Sequence, residues 1–600
     1  MSQSTPRQLK SFGLRLRFEG DNLKRSIAIF LFAASAVCAS DAIYVNGVVI
    51  TVDETRPYAE AFAVTNGRFF AVGSNAEIRR LAAPGTRVVD LAGMTVTPGF
   101  NDVHLHPVGI YDESSPYYTP WLGPESVHNM DELISVLKAK ADKTPGGELV
   151  TGSRYDDIKL GRHPTRYDLD QASTRHPIQI SHASGHIIVV NSYVLKASGI
   201  TKETKDPPGG SLDRDSDGTP NGVIREAARS FVTRFMPRAG EPRIPFDEEV
   251  KGYSRCFRSY SERGITSAGI AGGSPATFRL YQAVRDAGGP VRMGFMFSEA
   301  SFPALQAMEI KSGFGDDRLR ITSIKVFHGN SFSGRTCWLS EPYSDRPGYY
   351  GIPPGRSQED LDKAFQDMND AGFQIATHSN GDREINMVLT AIERAQAKTP
   401  RPDARHRIEH ASVMDQALLD RAKKDGVILV FHSYMWEHGD KLKSYGDSRL
   451  RMVHAYRTAI DMGIHVAGHS DSTVSAADPL LRIQDMVTRK GQDGKVYGGN
   501  QRVSVEEAIK AWTLDGAYAT FEENTKGSIT PGKLADFVVL RRDPRKVASD
   551  SIKDIVVDST YVGGERVWHA APNATARRLM PPDTLYGDSD ELENLERDRR

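Results

Sequence analysis

The stretch Met94-Thr95-Val96-Thr97-Pro98-Gly99-Phe100-Asn101-Asp102-Val103-His104-Leu105-His106 is the most informative part of this chain. Its apolar run predicts a β-strand that ends in two histidines. Residues i and i+2 of a strand face the same side, so His104 and His106 project together and can bind one metal ion. Because the chain has 17 histidines, a His-x-His pair also arises by chance. The motif alone therefore predicts part of a metal site, and other strands must supply the remaining ligands.

The composition is that of an ordinary globular protein. The 600 residues contain 76 Lys+Arg against 77 Asp+Glu, with 39% hydrophobic and 8% aromatic residues. This balance gives no electrostatic reason to expect a nucleic-acid partner. The length suggests two or three domains, although an α/β barrel with insertions can use more than about 400 residues as one unit. We therefore expect a small-molecule substrate and no nucleic acid, and a homo-oligomer stays open.

The amino terminus has the pattern of a secretory signal. Lys24 and Arg25 precede an apolar run at residues 27–37, which is followed by the small residues of a cleavage site at 38–40. The run is too short to span a bilayer comfortably, so no stable membrane span is expected in the mature chain. Residues 1–39 therefore predict export to the periplasm or the outside. The alternative is a lead from a misassigned start codon, which would leave the protein cytoplasmic.

Removal of that segment would leave two cysteines, Cys256 and Cys337. Two cysteines allow one disulfide. They imply no disulfide framework.

Both ends of the chain carry short β-patterns that predict one composite β-sandwich, formed by residues 40–97 and 527–572. Near the amino end, Asn46-Gly47 is a hairpin signal and predicts a small antiparallel sheet. Near the carboxyl end, Gly563-Gly564 predicts a tight turn between two further strands. The charged tail at residues 573–600 is expected to be disordered.

Residues 98–526 alternate short apolar strands with helical stretches, which is the pattern of a parallel α/β sheet. Eight such units predict an α/β fold of the (β/α)8 TIM-barrel type, with functional groups at the carboxyl ends of the strands. Residues 110–263 far exceed a normal crossover and predict a lid-like insertion after strand one. The predicted strands end, in order, at His104-Leu105-His106, Thr266-Ser267-Ala268, Met293-Gly294-Phe295, Lys325-Val326-Phe327, Ala376-Thr377-His378, Ile408-Glu409-His410, Phe431-His432 and His469-Ser470-Asp471.

These strand ends bring together a set of metal-ligand side chains. Imidazole nitrogens with a carboxylate oxygen suit Zn²⁺, and Mn²⁺, Fe²⁺ and Ni²⁺ are alternatives. Lys325, near the end of strand four, would face the metal as a cation unless it is neutral or carries a carboxylate made by CO₂ addition, which would bridge two metals. The alternative for Lys325 is an ammonium group that reaches solvent or a carboxylate. The predicted ligands are His104, His106, His378, His410 and Asp471.

The motifs of this chain resemble those of the amidohydrolase superfamily, and within it the amidohydrolase-3 group of YtcJ-like and N-substituted formamide deformylase-like proteins. The resemblance covers residues 42–568. It implies a metal-dependent hydrolase on a (β/α)8 barrel with a composite β-sandwich, with the five ligands above as metal-binding residues and Lys325 as the bridging position. The motifs are the opening Pro98 to His106 stretch, Gly185-His186, Gly222-Val223-Ile224-Arg225-Glu226, Lys325-Val326-Phe327, His378-Ser379-Asn380-Gly381-Asp382, Arg407-Ile408-Glu409-His410, His469-Ser470-Asp471 and the stretch Gly527 to Asp536.

The resemblance implies cleavage of a C–N bond by attack of metal-bound hydroxide, with Asp471 as the general base and acid. Glu409 is interpreted as a support for a ligating histidine. Three residues of the insertion, His182, His186 and Glu226, are predicted to contact substrate, and hydrogen bonding within the insertion is the equal alternative. His328-Gly329-Asn330 departs from the pattern of the group, which affects the expected substrate more than the chemistry.

Two other functions stay open at this point. A deaminase uses a similar histidine and aspartate set with one metal and attacks a ring C=N carbon. A barrel without metal could serve as a binding scaffold, but such a protein has no physical reason to keep so many imidazoles together. Hydrolysis of an amide, N-acyl or N-formyl bond is therefore the leading prediction, with one or two divalent ions as cofactor.

Overall fold

The computed structural model describes residues 40–235 and 244–575. The signal-like segment 1–39 and residues 576–600 of the charged tail lie outside the described residues. Among the helices that are described, none combines the length and the apolar character needed to cross a membrane.

Two sheets begin at the amino end. β1 lies in a four-stranded sheet in the order β5-β4-β1-β6, whereas β2 belongs to a second sheet and pairs with β3 and β7. The predicted hairpin at Asn46-Gly47 is therefore wrong, as is the purely antiparallel sheet, because β1 runs parallel to β6. All four residues of β1 are buried, which fits an inner strand better than one arm of an edge hairpin. The elements are β1 (Ala42–Val45), β2 (Val48–Ile50), β3 (Tyr58–Ala59), β4 (Ala61–Thr65), β5 (Arg68–Gly73), α1 (Asn75–Arg79), β6 (Arg87–Asp90) and β7 (Thr95–Pro98).

The first barrel strand, β8 (Phe100–Leu105), is followed by a separate five-stranded sheet in the order β12-β13-β11-β10-β9. This sheet has its own apolar core, which includes Leu133, Ile180 and Val189. It contacts the barrel loop that follows Phe327 through Glu226, whose carboxylate accepts a hydrogen bond from the Ser331 N–H at 3.3 Å. Its elements are α2 (Met130–Lys143), β9 (Val150–Tyr155), α3 (Arg166–Ala172), β10 (Ile178–His182), β11 (Ile187–Val190), α4 (Ser192–Ser198), β12 (Gly210–Arg214), β13 (Pro220–Glu226) and a 3-10 helix (Ala227–Phe235).

The remaining strands complete an eight-stranded parallel barrel sheet, as predicted. Strands two and three end at Ala271 and Ser298, three residues later than the sequence pattern predicted. The elements are α5 (Phe246–Ser261), β14 (Ile265–Ala271), α6 (Pro275–Asp286), β15 (Arg292–Ser298), α7 (Phe302–Ala307), β16 (Leu319–Phe327), α8 (Gln358–Asp370), β17 (Ile375–Ser379), α9 (Asp382–Lys398), β18 (Arg407–His410), α10 (Gln416–Lys424), β19 (Ile428–His432), α11 (Met435–His438), α12 (Asp447–Leu450), α13 (Tyr456–Asp461) and β20 (Val466–His469).

The first and last strands of the barrel meet through residues of the opening motif. Asp102 accepts hydrogen bonds from both the hydroxyl and the N–H of Ser470, the latter at 3.1 Å. One step further along, the Asp471 N–H donates to the His104 carbonyl at 3.0 Å. The aspartate of the motif thus joins β8 to the segment after β20, and this contact places His104 beside Asp471.

Helix α5 belongs to the barrel, although it falls within the predicted insertion. Cys256 and Phe257 of α5 are buried in the main barrel core. The insertion therefore ends before this helix begins. Cys337 is buried elsewhere, with its Sγ 3.2 Å from Tyr343 Oη, and both thiols are free, so the disulfide that the sequence allowed is not formed.

The carboxyl end of the chain completes the second amino-terminal sheet, in the order β23-β22-β21-β7-β2-β3. The two sheets bury aromatic side chains between them, and Phe537 stacks on Tyr561 with centroids 4.3 Å apart while meeting Tyr44 edge-on at 5.0 Å. Arg292 of the barrel fastens this sheet by two buried bonds to Asp536, of 2.7 and 2.9 Å. The last elements are α14 (Pro479–Thr488), α15 (Val505–Ala511), α16 (Leu514–Tyr518), β21 (Phe537–Leu540), β22 (Val557–Val562) and β23 (Glu565–His569).

Candidate metal centre

A cavity of about 560 Å³ lies at the carboxyl end of the barrel strands. Two further residues predicted from the sequence, His104 and Lys325, are buried close by, at 0% and 1% exposure. Residues of the insertion and residues of the barrel together line the cavity. The predicted residues that line the cavity are His106, His186, Glu226, His378, His410 and Asp471.

Asp471 is the point at which three histidines meet. Its Oδ1 lies 3.6 Å from His104 Nε2 and 3.4 Å from His106 Nε2, and its Oδ2 lies 3.9 Å from His410 Nδ1. Burial raises the pKa of Asp471, but the hydrogen bond and the charge of His106 outweigh burial and hold this pKa below its usual value. The carboxylate is therefore ionised at neutral pH. Its backbone φ of 51° lies in the left-handed region, which non-glycine residues adopt mostly where tertiary contacts impose it.

His104 is held in a defined orientation by a buried charge pair. Its Nδ1 contacts the Glu409 carboxylate, which also accepts hydrogen bonds of 2.8 and 2.9 Å from Arg407. Burial, together with the nearby Lys325 cation, lowers the pKa of His104 well below its usual value. A neutral ring that donates through Nδ1 keeps a lone pair on Nε2, which is the form that binds a metal.

Lys325 does not reach solvent, and within the described part of the chain it forms no ion pair with a carboxylate. Its Nζ lies 3.0 Å from His104 Nε2 and 4.9 Å from the ring centre of Phe327. Burial lowers the pKa of Lys325 to about 8. The alternative predicted for Lys325, an ammonium group that reaches solvent or a carboxylate, is therefore not observed. Its amine instead lies against a ring nitrogen of His104, a predicted ligand.

His378 and His410 stand next to each other, with ring centres 4.6 Å apart. His378 Nε2 lies 3.2 Å from the Asn330 carbonyl oxygen and 3.1 Å from Asn380 Nδ2, so in this conformation it faces the loop after strand four. Burial is the main cause that lowers the pKa of both histidines. Both rings are therefore neutral, as metal ligands must be.

His469 is a buried imidazole of the centre that the sequence analysis did not select as a ligand. Its ring lies 4.9 Å from those of both His104 and His410 and 4.7 Å from His432. Within the part of the chain that the structure describes, neither of its ring nitrogens has a hydrogen-bond partner. The signal in the sequence was the position of His469 at the end of the last predicted barrel strand, two residues before Asp471.

The three predicted substrate contacts separate into two places. His186 Nδ1 lies 2.7 Å from the Glu226 carboxylate, and its ring lies 4.9 Å from His378. His182 lies outside this cavity, with its nitrogens 3.0 Å from Asp157 Oδ1 and 2.9 Å from Ser184 Oγ. Burial raises the pKa of Glu226, but His186 outweighs this and the pKa lies below its usual value. His186 and Glu226 thus form one unit at the metal centre, and His182 does not belong to it.

The donor set fits a divalent metal ion. Ligand atoms of His104, His410 and Asp471 lie within 4.8 Å of one another, and so do those of His410, His432 and His469. Neutral imidazoles with one ionised carboxylate are the ligands that zinc and related ions take in proteins. Ring nitrogens without hydrogen-bond partners, as in His469, are costly to bury unless something binds them.

Comparison with known proteins agrees with this geometry. The sequence profile of the amidohydrolase family matches residues 87–568. The chain belongs to this family. It is 27% identical over 546 residues to the protein named YtcJ of Bacillus subtilis, covering 88% of this chain and 99% of YtcJ. It is 28% identical over 543 residues to N-substituted formamide deformylase of Arthrobacter pascens, covering 87% of this chain and 97% of that enzyme.

A solved structure supports the amidohydrolase fold. An uncharacterized metal-dependent hydrolase from Pyrococcus horikoshii superposes with a TM-score of 0.66 at 23% identity, covering 85% of this chain and 99% of the other. The barrel and its flanking sheets are therefore those of a known fold. Family membership supports a metal-dependent hydrolase.

Proposed function

We propose that this amidohydrolase cleaves a C–N bond of a small molecule, such as an amide, N-acyl or N-formyl compound. The observation that carries the proposal is the approach of three histidine nitrogens to the single carboxylate of Asp471, at 3.4 to 3.9 Å. A similar protein over nearly the whole chain is named N-substituted formamide deformylase, which favours C–N over other hydrolysable bonds.

The cofactor in this proposal is Zn²⁺, as one or two ions, with Mn²⁺, Fe²⁺ and Ni²⁺ as alternatives. When bound, such an ion supplies a Lewis acid and lowers the pKa of a coordinated water to about 7. Lys325 would act as a bridging ligand after its amine adds CO₂, and its position against His104 Nε2 supports that role. The proposed ligands are His104, His106, Lys325, His378, His410 and Asp471.

Asp471 and His186 are proposed to assist the reaction directly. In this proposal Asp471 accepts a proton from the attacking water and returns it to the leaving nitrogen, which is the role of a general base and acid. His186 faces the cavity beside His378, with its Nδ1 engaged by Glu226. Its Nε2 is therefore available to the substrate carbonyl oxygen, where it would stabilise the negative charge that develops in the transition state.

We also propose that the enzyme is exported from the cytoplasm. The basic lead, apolar run and small residues at 24–40 support export to the periplasm or the outside. Export would be supported by a mature protein in the periplasmic or extracellular fraction that begins near residue 40. An uncut chain in the cytoplasm would contradict export. Gel filtration of the same preparation decides whether the enzyme is a homo-oligomer.

The reaction is tested with a substrate panel on metal-loaded protein. The panel pairs each amide with its ester and adds cyclic imines and amidines, with liquid chromatography for acids and amines and a coupled assay for ammonia. Release of equal amounts of acid and amine from N-formyl or N-acyl amides is expected. Ammonia release from a ring substrate, with amides untouched, would instead identify a deaminase.

A further inference from the structure

A second cavity, of about 400 Å³, adjoins the metal centre. Gly185, Thr473 and Val474 line both cavities, so the two are neighbours that share part of their walls. Its size lies within the range of about 300 to 1,000 Å³ that is usual for small-molecule sites. Most of its wall is apolar, and four aromatic side chains contribute to it: Tyr111, Tyr117, Tyr118 and Trp121.

The cation in this aromatic cavity is Arg154, which lies in β9. Its guanidinium carbon stands 5.0 Å from the centre of the Trp121 ring. Its Nη1 donates to the Ala183 carbonyl at 3.4 Å, and its Nε has no hydrogen-bond partner among the residues that the structure describes. Within the described residues no carboxylate lies within 4.0 Å of the guanidinium. Arg154 is half-buried. So few partners are unusual for an arginine withdrawn this far from solvent, because charges removed from water are normally paired.

The acidic groups around Arg154 are engaged elsewhere. Asp156 lies 2.8 Å from Lys441 Nζ, and Glu437 pairs with Arg482. Glu125 accepts a hydrogen bond of 3.2 Å from Trp121 Nε1 at the edge of the indole. The guanidinium thus retains hydrogen-bonding capacity that the protein does not use.

The backbone of Arg154 directs its side chain. Its φ of 73° lies in the left-handed region, which is uncommon for a bulky residue. The pairing of β9 with β10 shifts register at this point, between the partners of Ile180 and His182. Such bulges occur where a strand re-aims a side chain, and they are frequent beside functional sites.

We propose that this second cavity binds the part of the substrate next to the scissile bond, and that this part carries an aromatic ring and a carboxylate. The ring would pack against Tyr111 and Trp121, because contacts between aromatic rings stabilise a complex beyond the burial of apolar surface alone. The carboxylate would pair with Arg154, whose planar fork matches two carboxylate oxygens. The inference rests on the proposed C–N hydrolysis and defines its substrate class as N-acylated aromatic amino acids and their analogues.

The test is equilibrium binding by calorimetry, which does not depend on turnover. The probes are 3-phenylpropanoate and the matched neutral amide, 3-phenylpropanamide, with metal-loaded protein. Wild type is expected to bind the carboxylate more tightly. Arg154→Met is expected to weaken carboxylate binding about 10-fold to 100-fold, as for the loss of a hydrogen bond to a charged group, with little change for the amide. Trp121→Ala should weaken both probes.

Two further variants keep the test decisive. Arg154→Lys retains the positive charge but lacks the planar guanidinium, and should keep a reduced preference for the carboxylate probe. Arg175→Met removes an exposed cation from the same insertion and should change nothing. Equal binding of the two probes by wild type, or unchanged carboxylate binding in Arg154→Met, would overturn the proposal.

The substrate class is tested in parallel by kinetics. N-acetyl-L-phenylalanine should be hydrolysed with a higher kcat/KM than N-acetylphenethylamine, which lacks the carboxylate, and N-acetyl-L-alanine, which lacks the ring. Arg154→Met should erase the first preference through KM. If the carboxylate probe binds through Arg154 while no amide is hydrolysed, the binding site stands and the proposed C–N reaction is what fails.

Discussion

Glu409 accepts a hydrogen bond from His104 Nδ1 where neither side chain is exposed to solvent. Arg407 donates two further hydrogen bonds to the same carboxylate. This chain of contacts sets the tautomer of His104 and presents its Nε2 to Lys325 and Asp471. The position before His410 in the Arg-Ile-Glu-His motif thus has a defined physical task, which is to orient a predicted ligand from another strand.

Replacing Glu409 by Gln should weaken metal binding about 10-fold to 100-fold, as for other carboxylates that support a ligating histidine. The measurement is competition with a chelator at fixed pH. Because Glu409→Gln also leaves Arg407 without a buried counter-charge, the protein should lose stability as well. The double variant Arg407→Met/Glu409→Gln should regain part of the stability without regaining the metal affinity. Unchanged affinity in the single variant would refute this role.

Asp471→Asn should lower kcat about 100-fold to 10,000-fold, because the amide cannot take the proton that the carboxylate accepts. Circular dichroism should show a folded protein. The control is Asp286→Asn, an exposed residue at the end of α6, which should keep full activity. Turnover of Asp471→Asn within tenfold of wild type would show that another group moves the proton.

The pair Arg292–Asp536 should hold the carboxyl-terminal sheet to the barrel. Asp536→Ala leaves a buried guanidinium unpaired and should lower the free energy of unfolding by about 3 to 5 kcal/mol in urea titrations. The double variant Arg292→Met/Asp536→Leu removes both charges and should recover most of this loss. A loss below about 1 kcal/mol in the single variant would mean that the pair is not structural.

His406 should make the protein sensitive to acid. Burial lowers the pKa of His406 from 6.5 to about 3, and the neutral ring accepts from the Ile375 N–H and contacts Asn369 Oδ1, both at 3.2 Å. Because the folded pKa lies below the unfolded one, its contribution to stability is complete above about pH 6.5 and is lost as pH falls toward 3. The slope for one proton is about 1.4 kcal/mol per pH unit.

The variant His406→Gln isolates this effect from other buried histidines. Its free energy of unfolding should be lower at pH 7, and between pH 6 and pH 4 it should fall less steeply than that of wild type by about 1.4 kcal/mol per pH unit. His128→Gln, at an exposed histidine, should leave the slope unchanged. Identical slopes for wild type and His406→Gln would contradict the assignment.

The barrel was predictable because each of its strands carries a local signal. Short apolar runs that end in polar residues mark the strands, and the alternation of strand and helix specifies a parallel sheet. The convergence of His104, His410 and Asp471 follows from that topology alone. Helix α5 was missed as a barrel element because nothing in its own sequence distinguishes a helix of the barrel from one of the insertion.

Other features depend on contacts between distant segments. Asn46-Gly47 has the residues of a hairpin turn, yet the two strands that it connects belong to different sheets. β1 is fully buried and pairs with β4 and β6, whereas β2 pairs with β3 and β7. Arg154 gave no signal, since its orientation depends on a register shift between β9 and β10 and on a left-handed backbone angle. Sequence periodicity reports neither. The second cavity is therefore visible only in the assembled structure.

The proposed hydrolysis requires that these side chains bind a divalent metal. The direct measurement is the metal-to-protein ratio of wild type and of His104→Asn/His106→Asn, purified without chelator and equilibrated with Zn²⁺. The predicted result is at least one ion per wild-type chain and a large loss in the variant, with both proteins folded. Metal-free wild type, or equal metal in the two proteins, would contradict metal binding by these histidines.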